Sequence, residues 1–306
     1  MTATGPVVVL AGGTGGAKLA RGMLDVVGGS DLVVVANTGD DIEIYGAYVS
    51  PDPDLVTFWL ADQIDERGWG LDGDTFAVMD GLRGLGVDVW FNLGDRDLAI
   101  GLERQRALQE GVRLTVAQAR IAAAFGLDAR VLPMTDRPVR TRVMADGSWW
   151  PLQEFMIRLR GEGPVQDVDF RHARAARPTP EVLEALRSAR AIVIGPSNPI
   201  ISIGPILAVP GLAAAIRDSP APVVAVSPFV RGRVLKGPTE ACMRWARRTV
   251  SSGGIADAYR GLIDGLVADE RTRATAVLET DVHMRDADGR RRVADQTLRF
   301  ALGLAG

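Results

Sequence analysis

Four short apolar runs, each rich in valine, isoleucine or both and each closed by a turn-forming loop, constrain this chain more than any other feature. They occupy residues 7–10, 32–35, 191–194 and 223–226. No polar residue alternates through them, so each reads as a strand buried on both faces, as in a parallel sheet covered by helices. The loops that follow are Gly12-Gly13-Thr14, Asn37-Thr38-Gly39, Gly195-Pro196-Ser197-Asn198 and Ser227-Pro228. Ligands of open α/β sheets bind beyond the carboxyl ends of the strands, so the four loops are expected to converge on one crevice. The expected fold is α/β: a Rossmann-like, mostly parallel sheet with helices on both faces.

Between the second and third runs, residues 55–125 follow a helical pattern, with amphipathic stretches at 102–110 and 116–125. A β-like part, 140–144 and 149–156, comes next, joined through Asp146-Gly147, which reads as a hairpin turn. This predicts a mainly helical cap insertion at about 55–160, with a small β-hairpin element, on a single domain of residues 1–306. The tail from 261 to 281 reads as a helix and strand, followed by a helix near 294–304.

Composition narrows the function classes. Hydrophobic residues make up 47% and charged residues 24% of the 306, as in ordinary globular domains. A net charge of -3 offers no broad basic field for nucleic acid or an anionic membrane. Cys242 is the single cysteine, which excludes an internal disulfide framework and multi-cysteine metal sites and suits a reducing compartment. Neither a signal-peptide pattern nor a membrane-length apolar stretch is present, so the expected location is cytoplasmic. His172 and His283 are not in a metal-ligand spacing, which disfavours zinc and serine-triad chemistry.

Gly12, Gly13, Thr14 and Gly15 follow a strand and precede a helix-like segment, a context in which backbone N–H groups meet phosphate oxygens. Lys18 is followed by Leu19, so the Ser or Thr of a P-loop is missing. Lys18 also stands where the third glycine of a dinucleotide fingerprint would pack. A plain tight turn is the bland alternative. Asn37 with Asp40 and Asp41 suits a ribose or second substrate, or simply a turn. Asp52 and Asp54 in Ser-Pro-Asp-Pro-Asp could hold Mg²⁺, accept a proton from an attacking hydroxyl, or cap a helix. Arg96, between Asp95 and Asp97, could neutralise a phosphate or orient a planar ligand, or belong to a surface ion-pair cluster.

The segment 195–205 carries three prolines and two glycines in eleven residues, with Ser197, Asn198 and Ser202 as hydrogen-bonding groups. A merely connecting loop rarely needs such constraint, so Gly195, Ser197, Asn198 and Ser202 are candidate binding residues. Lys236, after the 223–226 run, is a further candidate phosphate partner. A site of Gly, Ser, Asn, Asp, Arg and Lys suits phosphoryl or phosphodiester transfer, where positioning and charge stabilisation dominate. An NAD(P)-dependent oxidoreductase and a non-catalytic nucleotide or deazaflavin binder are the competing readings.

Taken together, these motifs resemble the 2-phospho-L-lactate transferases of coenzyme F-420 biosynthesis, whose bacterial members are phosphoenolpyruvate transferases. The resemblance rests on GGTGGAKL (12–19), NTGDD (37–41), SPDPD (50–54), LGDRD (93–97), LPMTDRPV (132–139) and GPSNPIISIGP (195–205). It implies transfer of a phospholactyl or phosphoenolpyruvyl group from a guanosine diphosphate conjugate to the ribityl hydroxyl of the deazaflavin Fo, with release of GMP. It also implies Mg²⁺ as cofactor and a homodimer. By motif, Asp54 and Arg96 look like deazaflavin contacts, and the glycine-rich and Ser-Asn-Pro loops like guanosine-nucleotide contacts. Gly16-Ala17 departs from the bulkier Thr-Pro of some archaeal members.

Overall fold

In the computed structural model, which describes residues 4–304, seven parallel strands form the central sheet. In chain order they are β1 (Val7–Ala11), β2 (Leu32–Ala36), β3 (Arg130–Pro133), β4 (Ala191–Ile194), β5 (Val223–Val226), β6 (Gly265–Ala268) and β7 (Ala276–Glu279). Across the sheet they run β7-β6-β5-β4-β1-β2-β3. In register, Val9 lies opposite Val34 on one side and Val193 on the other. The chain moves outward from β1 to β3, returns to lay β4 beside β1, and then moves outward the opposite way. The reversal between β1 and β4 is the place where such sheets open a crevice.

Unbroken apolar runs follow from the two covers. Successive side chains alternate faces, so Val8, Leu10, Val33, Val35, Ile192 and Ile194 enter one core and Val7, Val9, Val34 and Val193 the other. The second core is covered by helices Gly13–Val27, Pro51–Leu60 and Ala287–Leu304. On the opposite face, helix Pro180–Ser188 starts at Thr179, whose hydroxyl accepts from the Val182 N–H at 3.2 Å.

Helices Ala77–Gly84, Asp95–Gln109 and Leu114–Ala124 realise the helical middle region. Asp146 and Gly147 both have positive φ, 49° and 73°, and join strands Arg140–Ala145 and Ser148–Pro151 in the expected hairpin. A third strand, Asp167–Arg171, completes that small antiparallel sheet. The tail at 261–281, read as a helix and a strand, instead forms the two strands β6 and β7, and two boundaries also differ from the reading of the sequence. The 149–156 stretch leaves the strand at Pro151 and becomes helix Leu152–Arg158, because Leu152 and Phe155 turn into a separate small core. And β3, inside the 55–160 range read as an insertion, belongs to the central sheet. Among the described residues no helix is long and apolar enough to cross a membrane.

Candidate functional site at the sheet reversal

The glycines of the 12–16 loop are demanded by the 195–202 loop. A Cβ on Gly12 would stand 2.8 Å from the Ser202 Cβ, and one on Gly16 would stand 2.9 Å from the Ser197 Oγ. One on Gly15 would collide with the Pro196 carbonyl, and one on Gly195 would come within 2.9 Å of the Gly16 Cα. The two segments therefore form a single wall. Gly13, at φ +68°, opens helix Gly13–Val27. Its N–H is engaged: it donates to the Asp52 carboxylate at 2.5 Å. Of the amides at this helix start, those after Gly13, beginning with Thr14 and Gly15, are the ones left to meet an anion.

Asp52 thus caps a neighbouring helix instead of its own. Its other oxygen accepts from Asn37 Nδ2 at 2.9 Å, and Asn37 Oδ1 accepts from the Gly39 N–H at 2.8 Å. Burial raises the Asp52 carboxyl to about 6 against these donors. Asp40 is pushed up further, by burial first and then by the charges of Asp52 and Asp41. One Asp40 oxygen accepts from Gln153 Nε2 at 3.0 Å and the other, Oδ1, has no partner. The hydroxyls of Thr38 and Ser197 and the Nδ2 of Asn198 are also buried and unpartnered. Asn198 Oδ1 accepts from the Ile200 and Ile201 N–H groups at 2.9 and 3.2 Å, which fixes its amide with Nδ2 on the side of the buried Cys242 thiol. Buried polar groups without protein partners are uncommon in finished folds and call for water, an ion or a ligand to complete their bonding.

The structure does not bring Asp52 and Asp54 together as a metal-binding pair. Two positions apart on helix Pro51–Leu60, they lie on nearly opposite sides of it. Asp54 turns to the fully buried Arg104, which forks onto both carboxylate oxygens and also donates to the Tyr48 carbonyl at 3.0 Å. Burial raises the Asp54 carboxyl, and Arg104 pulls it back. Among the described residues no group of three or more His, Cys, Asp or Glu side chains is placed to hold a metal ion.

Arg96 is exposed and is not part of an ion-pair cluster. Its guanidinium donates to the Asp72 carbonyl at 3.0 Å and to Gln63 Oε1 at 3.1 Å, neutral acceptors that orient it, while its charge acts on the neighbouring Asp97. Asp95 is spent on the neighbouring helix, accepting from Ala77 and Val78 N–H groups at 3.0 Å each. Asp97 is mostly buried and raised to about 7, by burial first and then by Asp54 and Asp74. Lys18, in the glycine-loop helix, lies over the Trp59 ring, and burial together with the charges of Lys236 and Arg290 lowers its proton affinity.

Arg104, Trp59 and Arg290 escaped the sequence reading, and Asp97 entered it only as a neighbour of Arg96. Arg104 left a faint signal: it interrupts the buried stripe Leu98, Gly101, Ala107 at helical spacing, where a charge must have a partner. Trp59 and Arg290 left none, since a tryptophan in a helix and an arginine in an arginine run are ordinary.

An all-parallel sheet, a glycine-lined reversal and buried polar groups beside carboxylates define a Rossmann-like α/β protein with a polar site at the sheet reversal. The chain belongs to the CofD family, described as 2-phospho-L-lactate transferase CofD, whose pattern matches residues 7–298. It is accordingly an enzyme, a transferase of substituted phosphate groups, and the oxidoreductase and non-catalytic readings fall away. A 2-phospho-L-lactate transferase of Methanosarcina mazei is 39% identical over 88% of this chain and 88% of its own length. A phosphoenolpyruvate transferase of Streptomyces coelicolor is 37% identical over 96% of this chain and 98% of its own. A solved UPF0052-family protein of Bacillus halodurans shares the fold, with a TM-score of 0.56 and 19% identity over 88% of this chain and 82% of that one.

Proposed function

We propose that the chain transfers a phosphoenolpyruvyl or 2-phospho-L-lactyl group from its guanosine diphosphate conjugate to the ribityl hydroxyl of the deazaflavin Fo, releasing GMP. The observation that carries this reading is the row of buried, unpartnered Thr38 and Ser197 hydroxyls beside the Asp40–Asp52 carboxylates at the sheet reversal. The names of the relatives support the transferred groups. The glycine wall, Ser197, Asn198 and Ser202 take the guanosine nucleotide, while the oriented Arg96 and the Arg104-anchored Asp54 face the deazaflavin.

The hydroxyl oxygen forms a bond to the phosphorus that bears the transferred group, and the bond from that phosphorus to the GMP oxygen breaks. The hydroxyl proton passes to Asp52, whose burial keeps its proton affinity near the working range of a general base. Asp54, held by both arms of Arg104, is an anchor and not the acceptor. Asp40, with a free buried oxygen and a neighbouring carboxylate that disfavours its charge, fits a hard divalent cation. Mg²⁺ bound there would offset charge on the diphosphate and the departing GMP. A homodimer is the proposed assembly.

Incubation with Fo, Mg²⁺ and each of the two conjugates, followed by mass spectrometry, tests this. The expected result is GMP and one new deazaflavin from at least one conjugate. Unchanged Fo with both conjugates would overturn it.

A further inference from the structure

Three side chains from three separate helices meet on the helix-covered face of the sheet, Lys18, Trp59 and Arg290, and the charge of the exposed Lys236 acts on Lys18. Lys18 Nζ lies 5.5 Å and the Arg290 guanidinium 5.2 Å from the centre of the same Trp59 ring. Among the described residues none of the three cations makes an ion pair. Asp62, the carboxylate that feels Arg290, has its two oxygens taken by the Arg21 fork at 2.8 and 2.7 Å. Burial first, then Lys236 and Arg290, lower the proton affinity of Lys18. Trp59 is 8% exposed, yet its Nε1 is buried without a partner, as is Nε of Arg290. The Lys18, Trp59, Lys236 and Arg290 side chains offer donors alone.

Such an arrangement is unfavourable without a counter-charge. Like charges close together in a partly buried site repel, and buried donors without acceptors lose their hydration. Arg290 also stands in the first turn of helix Ala287–Leu304, the end at which the helix dipole disfavours a cation. The helix is held close nonetheless. A Cβ on Gly22 would collide with the Arg290 carbonyl, so glycine at this place lets helix Gly13–Val27 press against the segment that carries Arg290. Lys18 is five residues beyond Gly13, roughly 7 Å along the helix axis, about one phosphate away from the amides at the helix start.

We propose that Lys18, Lys236 and Arg290, with Trp59 Nε1, form an anion subsite for the part of the donor beyond its nucleoside monophosphate. This rests on the guanosine-conjugate reading above. The shared chemistry is a multiply charged oxyanion, either the second phosphate or the carboxylate of the transferred group. Arg290 is then a substrate-binding residue supplied by the C-terminal helix.

Titration calorimetry of wild type, Arg290→Gln and Arg290→Lys with GMP, GDP and inorganic pyrophosphate tests the subsite, with KM for the conjugate as a second readout. Loss of one charged contact should weaken GDP and pyrophosphate binding about 10- to 100-fold in Arg290→Gln. GMP binding should be unchanged, and Arg290→Lys should recover part of the loss. If GDP binding holds while KM for the conjugate rises by a similar factor, the subsite stands with the carboxylate as its occupant. Unchanged GDP, pyrophosphate and conjugate parameters would overturn it, as would an equal loss for GMP and GDP in a folded variant. Pyrophosphate binding that depends on Arg290 in a protein blind to guanosine nucleotides would keep the subsite and remove the guanosine reading.

Discussion

Arg104 is completely buried, and its charge is tolerable only because Asp54, the Tyr48 carbonyl and Gln118 surround it with acceptors. Arg104→Ala would strand the Asp54 carboxylate in the interior. The expected loss is about 3–5 kcal/mol of unfolding free energy, read from urea melts, because a buried charge deprived of its partner costs more than the pair contributed. A loss below 1 kcal/mol would show that water reaches Asp54. Asp97 poses the opposite case, a carboxyl raised to about 7 by burial and by Asp54 and Asp74. The native state holds this proton more tightly than the unfolded chain does, whose carboxyl titrates near 3.9. Between those values the native state binds more protons, so the group's contribution to stability falls as pH rises and is lowest above 7. Asp97→Asn should therefore reduce the decline of stability from pH 5 to pH 8 by roughly 1–3 kcal/mol. Equal slopes for the two proteins would refute the shift. Asp52, Asp54 and Arg96 could be picked from the sequence because acids beside prolines and an arginine between acids are locally odd. Their division of labour could not, since it depends on Gly13, Arg104 and Gln63, partners that lie 33 to 50 positions away.

Gly22 shows how one missing Cβ sets the spacing of two helices. Gly22→Ala would drive a methyl into the Arg290 carbonyl, so helix Ala287–Leu304 must retreat. Overpacking of this kind costs about 1–3 kcal/mol. The thermal midpoint should fall, and pyrophosphate binding should weaken along with it, because Arg290 moves away from Lys18. A lowered midpoint with intact pyrophosphate binding would separate the packing from the subsite. The sequence revealed most of the sheet for a plain reason: β1, β2, β4 and β5 are buried on both faces, so every residue in them is apolar. β3 and β7 flank the sheet and carry Arg130, Pro133 and Glu279, which conceal them, while β6, four buried residues that open on a glycine, was too short to tell from a helical stretch. The hairpin turn was legible because Asp-Gly supplies two successive positive φ angles. The end of its second strand was not, because Pro151 serves as readily at a helix start as at a strand edge.

The proposed site draws on residues from Gly12 to Arg290, and its two walls are attached to opposite halves of the sheet. β2 carries Asn37 on one side of the reversal, while β4 and β5 carry Ser197, Asn198 and Lys236 on the other, with β1 paired to both β2 and β4. Unfolding of either half would destroy the site. A ligand that touches both walls must then stabilise both together, by about 2.7 kcal/mol when present at 100 times its Kd. Hydrogen exchange measures this directly, because the slowest strand amides exchange only through the largest openings of the structure. With saturating GDP and Mg²⁺, exchange in β2 and in β5 should slow by the same factor, about 100-fold at that concentration. Protection confined to β4, β5 and β6 would mean that the nucleotide contacts one wall alone, and Asn37 and the Asp40–Asp52 cluster would have to serve the acceptor instead.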